Sequence, residues 1–312
     1  MITIEKIHYQ PWGECIRISN GSVELFATLE FGPRIIRFNA VGHENIFFED
    51  RDNHVSNDLS AYPGYFPYDT WKIYGGHRLW SAPEEMPRSY FTDHDPVEYE
   101  SFGCGVLLKQ ACQPTVCTSA SIRIDMAEDG TVTVTHQIEN HNAWPITFAP
   151  WAVTALCKDG LEIVPLPQEQ TGLLPNTRLA LWPYTDMNDA RVYWGKQFIT
   201  LRQDRTMKQP FKFGLGNTQQ YAAYFVHNCL FLKQFPYQES AVYPDFGVSF
   251  ETYTANEFLE MESLGTLREV APGGCAQHTE TWSVFSGVPA PSSQDETGIA
   301  ATLTPFLKNS QK

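Results

Sequence analysis

The chain has 312 residues, 42% apolar and 19% charged, with 36 acidic against 22 basic side chains and a formal charge of −14. This composition excludes global disorder, suffices for a core without disulfide or metal staples, and argues against nucleic acid or an anionic membrane as partner. No apolar run approaches the roughly 18 residues of a membrane span, residues 1–21 carry scattered charges in place of a secretory signal, and the seven cysteines include no CxxC pair. Free thiols in the cytoplasm are the expectation.

The elements are strand-like almost throughout. Cys15 to Ser19 alternates, Asn20-Gly21 turns the chain and Val23 to Phe26 resumes, a strong hairpin signal. Pro33 to Phe38 predicts a third strand, and Asp50 to Thr70 a long polar loop. A second hairpin joins Ser121–Asp125 to Thr131–Thr135 through Asp129-Gly130, with Val132, Val134, His136 and Ile138 on one face. Later strands are predicted at 221–226, 229–235, 248–253, 258–262 and 277–285, and short helices at 188–193 and 298–306. No composition break divides the chain. The expected fold is all-β, a large antiparallel arrangement of two packed sheets with few short helices, over residues 1–288, followed by a C-terminal extension, 289–312, whose tail after Ala301 frays.

Several segments concentrate ligand-capable residues. Tyr74-Gly75-Gly76-His77-Arg78-Leu79-Trp80-Ser81-Ala82-Pro83-Glu84 supplies donor, cation, stacking plane and acceptor within a few positions. It reads either as a ligand-facing loop or as a turn with a local Arg–Glu pair. Glu260 and Glu262 are two apart, so in a strand they share a face. Such a pair either binds sugar hydroxyls or serves as acid and base, or else lies on a solvated surface. Asp245 and Glu251 add carboxylates nearby. His278, Glu280 and Trp282 also fall at strand spacing on one face. No HxH, HExxH, GxSxG, phosphate-loop or dinucleotide motif occurs, so no metal and no cofactor is expected.

The segments Phe31-Gly32-Pro33-Arg34-Ile35-Ile36-Arg37-Phe38 and Gly42-His43-Glu44-Asn45-Ile46-Phe47-Phe48 resemble the opening of aldose 1-epimerase (galactose mutarotase-like) proteins. Leu259-Glu260-Met261-Glu262-Ser263, then Ala271-Pro272-Gly273-Gly274 and His278-Thr279-Glu280-Thr281-Trp282, resemble the family's closing pattern. Within the superfamily, Gly75-Gly76-His77-Arg78-Leu79-Trp80, Ala149-Pro150-Trp151 and Tyr243-Pro244-Asp245 are most similar to the uncharacterised DUF4380-type branch.

The resemblance implies a β-supersandwich that binds a mono- or oligosaccharide on a concave sheet face, as a monomer or homodimer. It gives Glu262 the role of general base on the anomeric hydroxyl. The family's mid-chain histidine, preceding Tyr-Phe-Asn-Leu, is replaced here by Phe148-Ala149-Pro150-Trp151. The acid role therefore passes to His77, which loosely matches a second family histidine. Arg34, Arg78, Trp80, Glu84, Trp151, Lys233, Asp245, Glu260, His278 and Trp282 are the expected sugar-binding residues. Three functions follow: an epimerase-like isomerase, a non-catalytic sugar-binding or sensing module, or a lyase or hydrolase of acidic sugars using Arg34, Arg78 and Lys233 as carboxylate clamps.

Overall fold

A computed structural model describes residues 1–307. Two large antiparallel sheets, of eleven and ten strands, dominate it. The Asn20-Gly21 turn joins Glu14–Ser19 to Val23–Thr28 in the first sheet, and the Asp129-Gly130 turn joins Thr118–Met126 to Val132–Asn140 in the second. The large antiparallel arrangement of two packed sheets expected from the sequence is the architecture observed.

The strands that matter for function lie side by side in the first sheet. His77–Ala82 pairs with Ile146–Leu156, which pairs with Leu259–Leu264, then Phe250–Thr254, then Phe211–Leu215. Each is antiparallel to its neighbour, so residues in register form rows across the sheet. One row reads Arg78, Val153, Glu262, Glu251 and Gly214; the next on the same face reads Ala155, Glu260, Tyr253 and Lys212. The intervening row, His77, Thr154, Met261, Thr252 and Phe213, projects the other way, because successive strand residues point to opposite faces.

That second face packs on the ten-stranded sheet. Phe38, Phe47, Phe231 and Trp282 form its aromatic centre, with ring centroids 5.6–6.0 Å apart. The spacing suits edge-to-face and tilted contacts. Trp282 is completely buried there, so the expectation that it stacks on a sugar is corrected: its strand alternation aims it between the sheets.

Local chemistry explains the departures from the predicted elements. The predicted loop 50–70 contains the strand Ser56–Asp58, which pairs with Thr70–Lys72. Residues 188–193 are not helical, because Asp189 accepts from the Arg191 backbone N–H and grips its guanidinium at 2.7 Å. Such Asx geometry competes with helix. The C-terminal helix, Glu296–Leu307, does form. Asp295 caps it by accepting from the Gly298 N–H at 3.0 Å, and Ile299 and Leu303 pack among Leu161, Ile163, Phe225 and Leu230 on the outer face of the second sheet. The fraying expected after Ala301 is thus not seen up to Leu307; the rest of that tail lies outside the described residues.

Gly75 and Gly76 permit close approach between backbone segments. Their φ angles are +104° and +66°. A Cβ on Gly75 would sit 2.1 Å from the Phe48 carbonyl oxygen, and one on Gly76 2.2 Å from that of Ile35.

Candidate functional site

The outward face of the five central strands floors a cavity of about 380 Å³, within the size range of small-ligand sites. Arg78, Trp80, Glu84, Trp151, Glu260 and Glu262 all line it. Residues from three sequence regions thus converge on one cavity. Trp71 and Tyr90 extend the aromatic wall around Trp80, at centroid distances of 5.5 and 5.1 Å, and Trp151 completes it at 5.4 Å. Trp182 and Tyr184 close another side from the loop after Leu179–Leu181.

The charges are arranged in two groups. Arg78 lies over the Trp80 ring at 4.3 Å and donates from Nη1 to Glu260 Oε1 at 2.9 Å. Lys212 donates to Glu262 Oε2 at 2.9 Å and lies 2.8 Å from Glu251 Oε2. Its ammonium sits 4.9 Å from the Trp151 ring centroid and 4.7 Å from that of Trp182. Trp151 Nε1–H also donates to Glu262 Oε2, at 2.9 Å. Both donors therefore converge on one oxygen of Glu262, while Oε1 is buried with no partner.

Burial raises the Glu260 carboxyl above its ordinary value, against the pull of Arg78 and helped by Glu262. Burial also pushes Glu251 well up, against Lys212. Burial draws Lys212 down, but the two carboxylates more than offset it. One ammonium stands between two buried carboxylates, at 2.8 Å from Glu251 and 2.9 Å from Glu262, and burial favours the neutral form of Glu251. The cavity then offers acceptor oxygens to a ligand, and both its cations are already engaged.

His77 does not join this site. It follows Gly76 on the same strand as Arg78, so it projects between the sheets and is fully buried. The expectation that it acts as acid opposite Glu262 is corrected on that ground. Lys233, expected to bind ligand, is likewise buried between the sheets, where it pairs with Glu280 at 2.8 Å and donates to Thr154 Oγ1 and the Met261 carbonyl at 2.9 Å each. His278 bonds Ser263 Oγ at 2.5 Å from the same interior. Arg34 is fully buried too; its guanidinium binds Asp93 at 2.6 Å and the carbonyls of Ile73 and Gly75. Asp245 is half-buried in a left-handed turn and lines no part of the cavity. With Arg34 and Lys233 committed elsewhere and Arg78 paired, the carboxylate clamp expected for acidic sugars is not assembled.

Lys212, Trp182, Tyr184, Tyr90, Tyr253 and Trp71 were not anticipated. Lys212 carried a usable signal: a lone lysine between Phe211 and Phe213 in an alternating strand must face away from the core and needs a partner.

The inter-sheet group His77, His136 and Glu280 places three metal-capable atoms within 4.8 Å of one another. Its valences are already used. His136 Nδ1–H donates to the His278 carbonyl, so its Nε2 accepts from His77 Nε2–H at 2.6 Å. His77 Nδ1 then accepts from Thr154, whose oxygen accepts from Lys233. The Lys233 ammonium stands beside Glu280 where a metal cation would have to stand, so the donor set does not fit an ion.

No protein-family model and no curated protein matches the chain. Solved structures do. A galactose mutarotase-like protein from Lactobacillus casei aligns with a TM-score of 0.56 and 10% identity over 87% of this chain and 100% of its own. A galactose mutarotase related enzyme from Lactobacillus acidophilus aligns at 0.53 and 9%, over 88% and 98%. A TPR-domain containing protein from Parabacteroides distasonis aligns at 0.58 and 11% over 89% of this chain, which spans only 48% of that protein. At these identities the likeness is one of architecture, and the chain has the galactose mutarotase-like fold.

Proposed function

We propose that the chain binds a neutral, hydroxyl-rich sugar in the cavity and interconverts its anomers, with Glu262 as general base. The observation that carries this reading is Glu262 Oε1, a buried acceptor without a partner on the wall of an aromatic cavity. A buried carboxylate oxygen left without a donor is costly, and a sugar hydroxyl supplies one. The aromatic wall offers flat faces to the apolar side of a pyranose ring.

The chemistry needs two proton carriers. Glu262 takes the anomeric hydroxyl proton as the bond from C1 to the ring oxygen breaks. Glu260, whose hold on a proton is strengthened by burial, gives a proton to the ring oxygen, and the Arg78 guanidinium balances the charge left on it. After the open-chain aldehyde rotates, closure on the other face returns both protons. Two carboxyls whose surroundings separate their proton affinities are a usual basis for such a division of roles.

Binding without turnover is the second reading, favoured by the placement of His77 on the far side of the sheet. A thermal-shift panel of neutral aldoses, amino sugars and uronic acids tests the pocket, and exchange NMR between anomers of each binder tests turnover. A neutral aldose should bind and exchange faster than in buffer. A binder whose anomers exchange at the buffer rate makes the protein a binding module, and stabilisation by uronic acids alone ends the neutral-sugar reading.

A further inference from the structure

We infer that Lys212 is a positioning residue for Glu262: with Trp151 it engages one carboxylate oxygen and leaves the other as the acceptor presented to the ligand. This rests on the reading of Glu262 as the base. The geometry is specific. Two donors from different strands, Lys212 Nζ and Trp151 Nε1, reach the same Oε2 at 2.9 Å each, and none reaches Oε1. A carboxylate with one oxygen fixed by two charge-assisted or polarised bonds has little freedom to turn. Lys212 itself is held by Glu251 on one side and by the Trp151 and Trp182 ring faces. It is therefore not a free cation awaiting an anionic ligand.

The ionisable groups around Glu262 come from each neighbouring strand. Lys212 and Glu251 face it from Phe211–Leu215 and Phe250–Thr254, Glu260 from its own strand, and Arg78 from beyond Ile146–Leu156. Tyr184 faces the cavity from a loop and Tyr253 from Phe250–Thr254. Behind the sheet lies Glu162, fully buried and pushed well up by that burial. Lys212 is the one cation among them bonded to Glu262, so its loss should make that carboxylate hold a proton at higher pH.

Lys212→Met, Lys212→Gln and Lys212→Arg test this, each first checked for cooperative unfolding. For the first two, anomer exchange at saturating sugar should fall on the order of 10- to 100-fold while KM moves less than about 3-fold. The acidic limb of the rate profile should move up by about one pH unit, and Lys212→Arg should recover part of the rate. The Trp151 indole N–H resonance, followed by NMR against pH without sugar, should show the same upward displacement. An unmoved limb and an unmoved indole transition overturn the inference. If wild type turns over no sugar, the proposed function fails, and the sugar-free indole titration still decides the role of Lys212. Lys212→Gln carries the test if Lys212→Met does not fold.

Discussion

The two faces of the Leu259–Leu264 strand carry polar groups under opposite rules. Toward the second sheet, Ser263 and the Met261 carbonyl belong to a network running through Lys233, Glu280, Thr154, His77 and His136. Its donors and acceptors pair in one consistent direction, and Trp282 Nε1–H completes Glu280 at 2.8 Å. Toward the cavity, Glu260 and Glu262 are buried nearly as deeply, yet acceptor capacity is left over. The network on the matched face of this strand stabilises and fixes the backbone, while the surplus acceptor on the cavity face waits for a ligand's donors. The Lys233 ammonium bonds the carbonyl between the two cavity glutamates, so the interior network also sets where they stand.

The largest effect should come from the unmatched face. Glu262→Gln keeps the side-chain shape and much of its bonding to Lys212 and Trp151 but removes the base. Anomer exchange should fall on the order of 10²- to 10⁴-fold, while sugar affinity changes by less than about 3-fold. Single-temperature exchange NMR at saturating sugar checks it; an undiminished rate removes Glu262 from the chemistry.

On the matched face the loss should be of stability. Lys233→Met strands the completely buried Glu280 without its cation, and breaking such a pair costs about 3–5 kcal/mol. The double variant Lys233→Met/Glu280→Leu should cost less than the single one. Urea unfolding of wild type, Lys233→Met, Glu280→Leu and the double variant measures it. If the double variant is the less stable by the sum of two independent losses, the pair is not coupled as the distances indicate.

Acid should loosen the same face before it touches the other. Burial lowers His136 and His278 to about 3, against roughly 6.5 in an unfolded chain. Because the folded values are depressed, their contribution is fully present above about pH 6.5 and drains away as pH falls toward 3. Each histidine gives a slope of about 1.4 kcal/mol per pH unit inside that window. Urea midpoints at pH 7.5, 6, 5 and 4 should fall steadily, and should do so at high salt, since the groups are shielded from it. A flat profile from 7 to 4.5 would contradict neutral interior histidines.

Much of the architecture was legible because hairpins announce themselves locally: alternation bounded by Asn20-Gly21 or Asp129-Gly130 fixes both strands and register. The site was half legible. Glu260 with Glu262, Arg78 with Trp80, and Trp151 each sit on a strand whose alternation gives them one face, and that face proved to be the cavity. What sequence could not supply was which face of a strand buried on both sides is open. His77 and Arg78 look equally functional as neighbours, yet one is core and the other lines the site. Lys233 and His278 misled for the same reason, since polar residues in strands suggest solvent or ligand until a partner such as Glu280 appears across the sandwich. Lys212 was overlooked because its partners, Glu251 and Glu262, lie 39 and 50 positions away on adjacent strands.

The smallest prediction compares two tryptophans on the two faces. Trp80 is half-buried in the cavity wall, stacked by Arg78 and flanked by Trp71 and Trp151. Trp80→Phe keeps an aromatic ring there but shrinks the plane offered to a sugar. Affinity should weaken by about 3- to 10-fold, from the 0.5–1.5 kcal/mol carried by such ring contacts, with the unfolding midpoint nearly unchanged. Trp282, by contrast, has no exposed surface and bonds Glu280. Trp282→Phe leaves a void and an unpaired carboxylate oxygen, so it should lower stability by about 1–3 kcal/mol and leave sugar affinity within twofold. Isothermal titration beside urea unfolding separates the two. A loss of affinity in Trp282→Phe equal to that in Trp80→Phe would mean that the interior face shapes the ligand site as strongly as the cavity wall does.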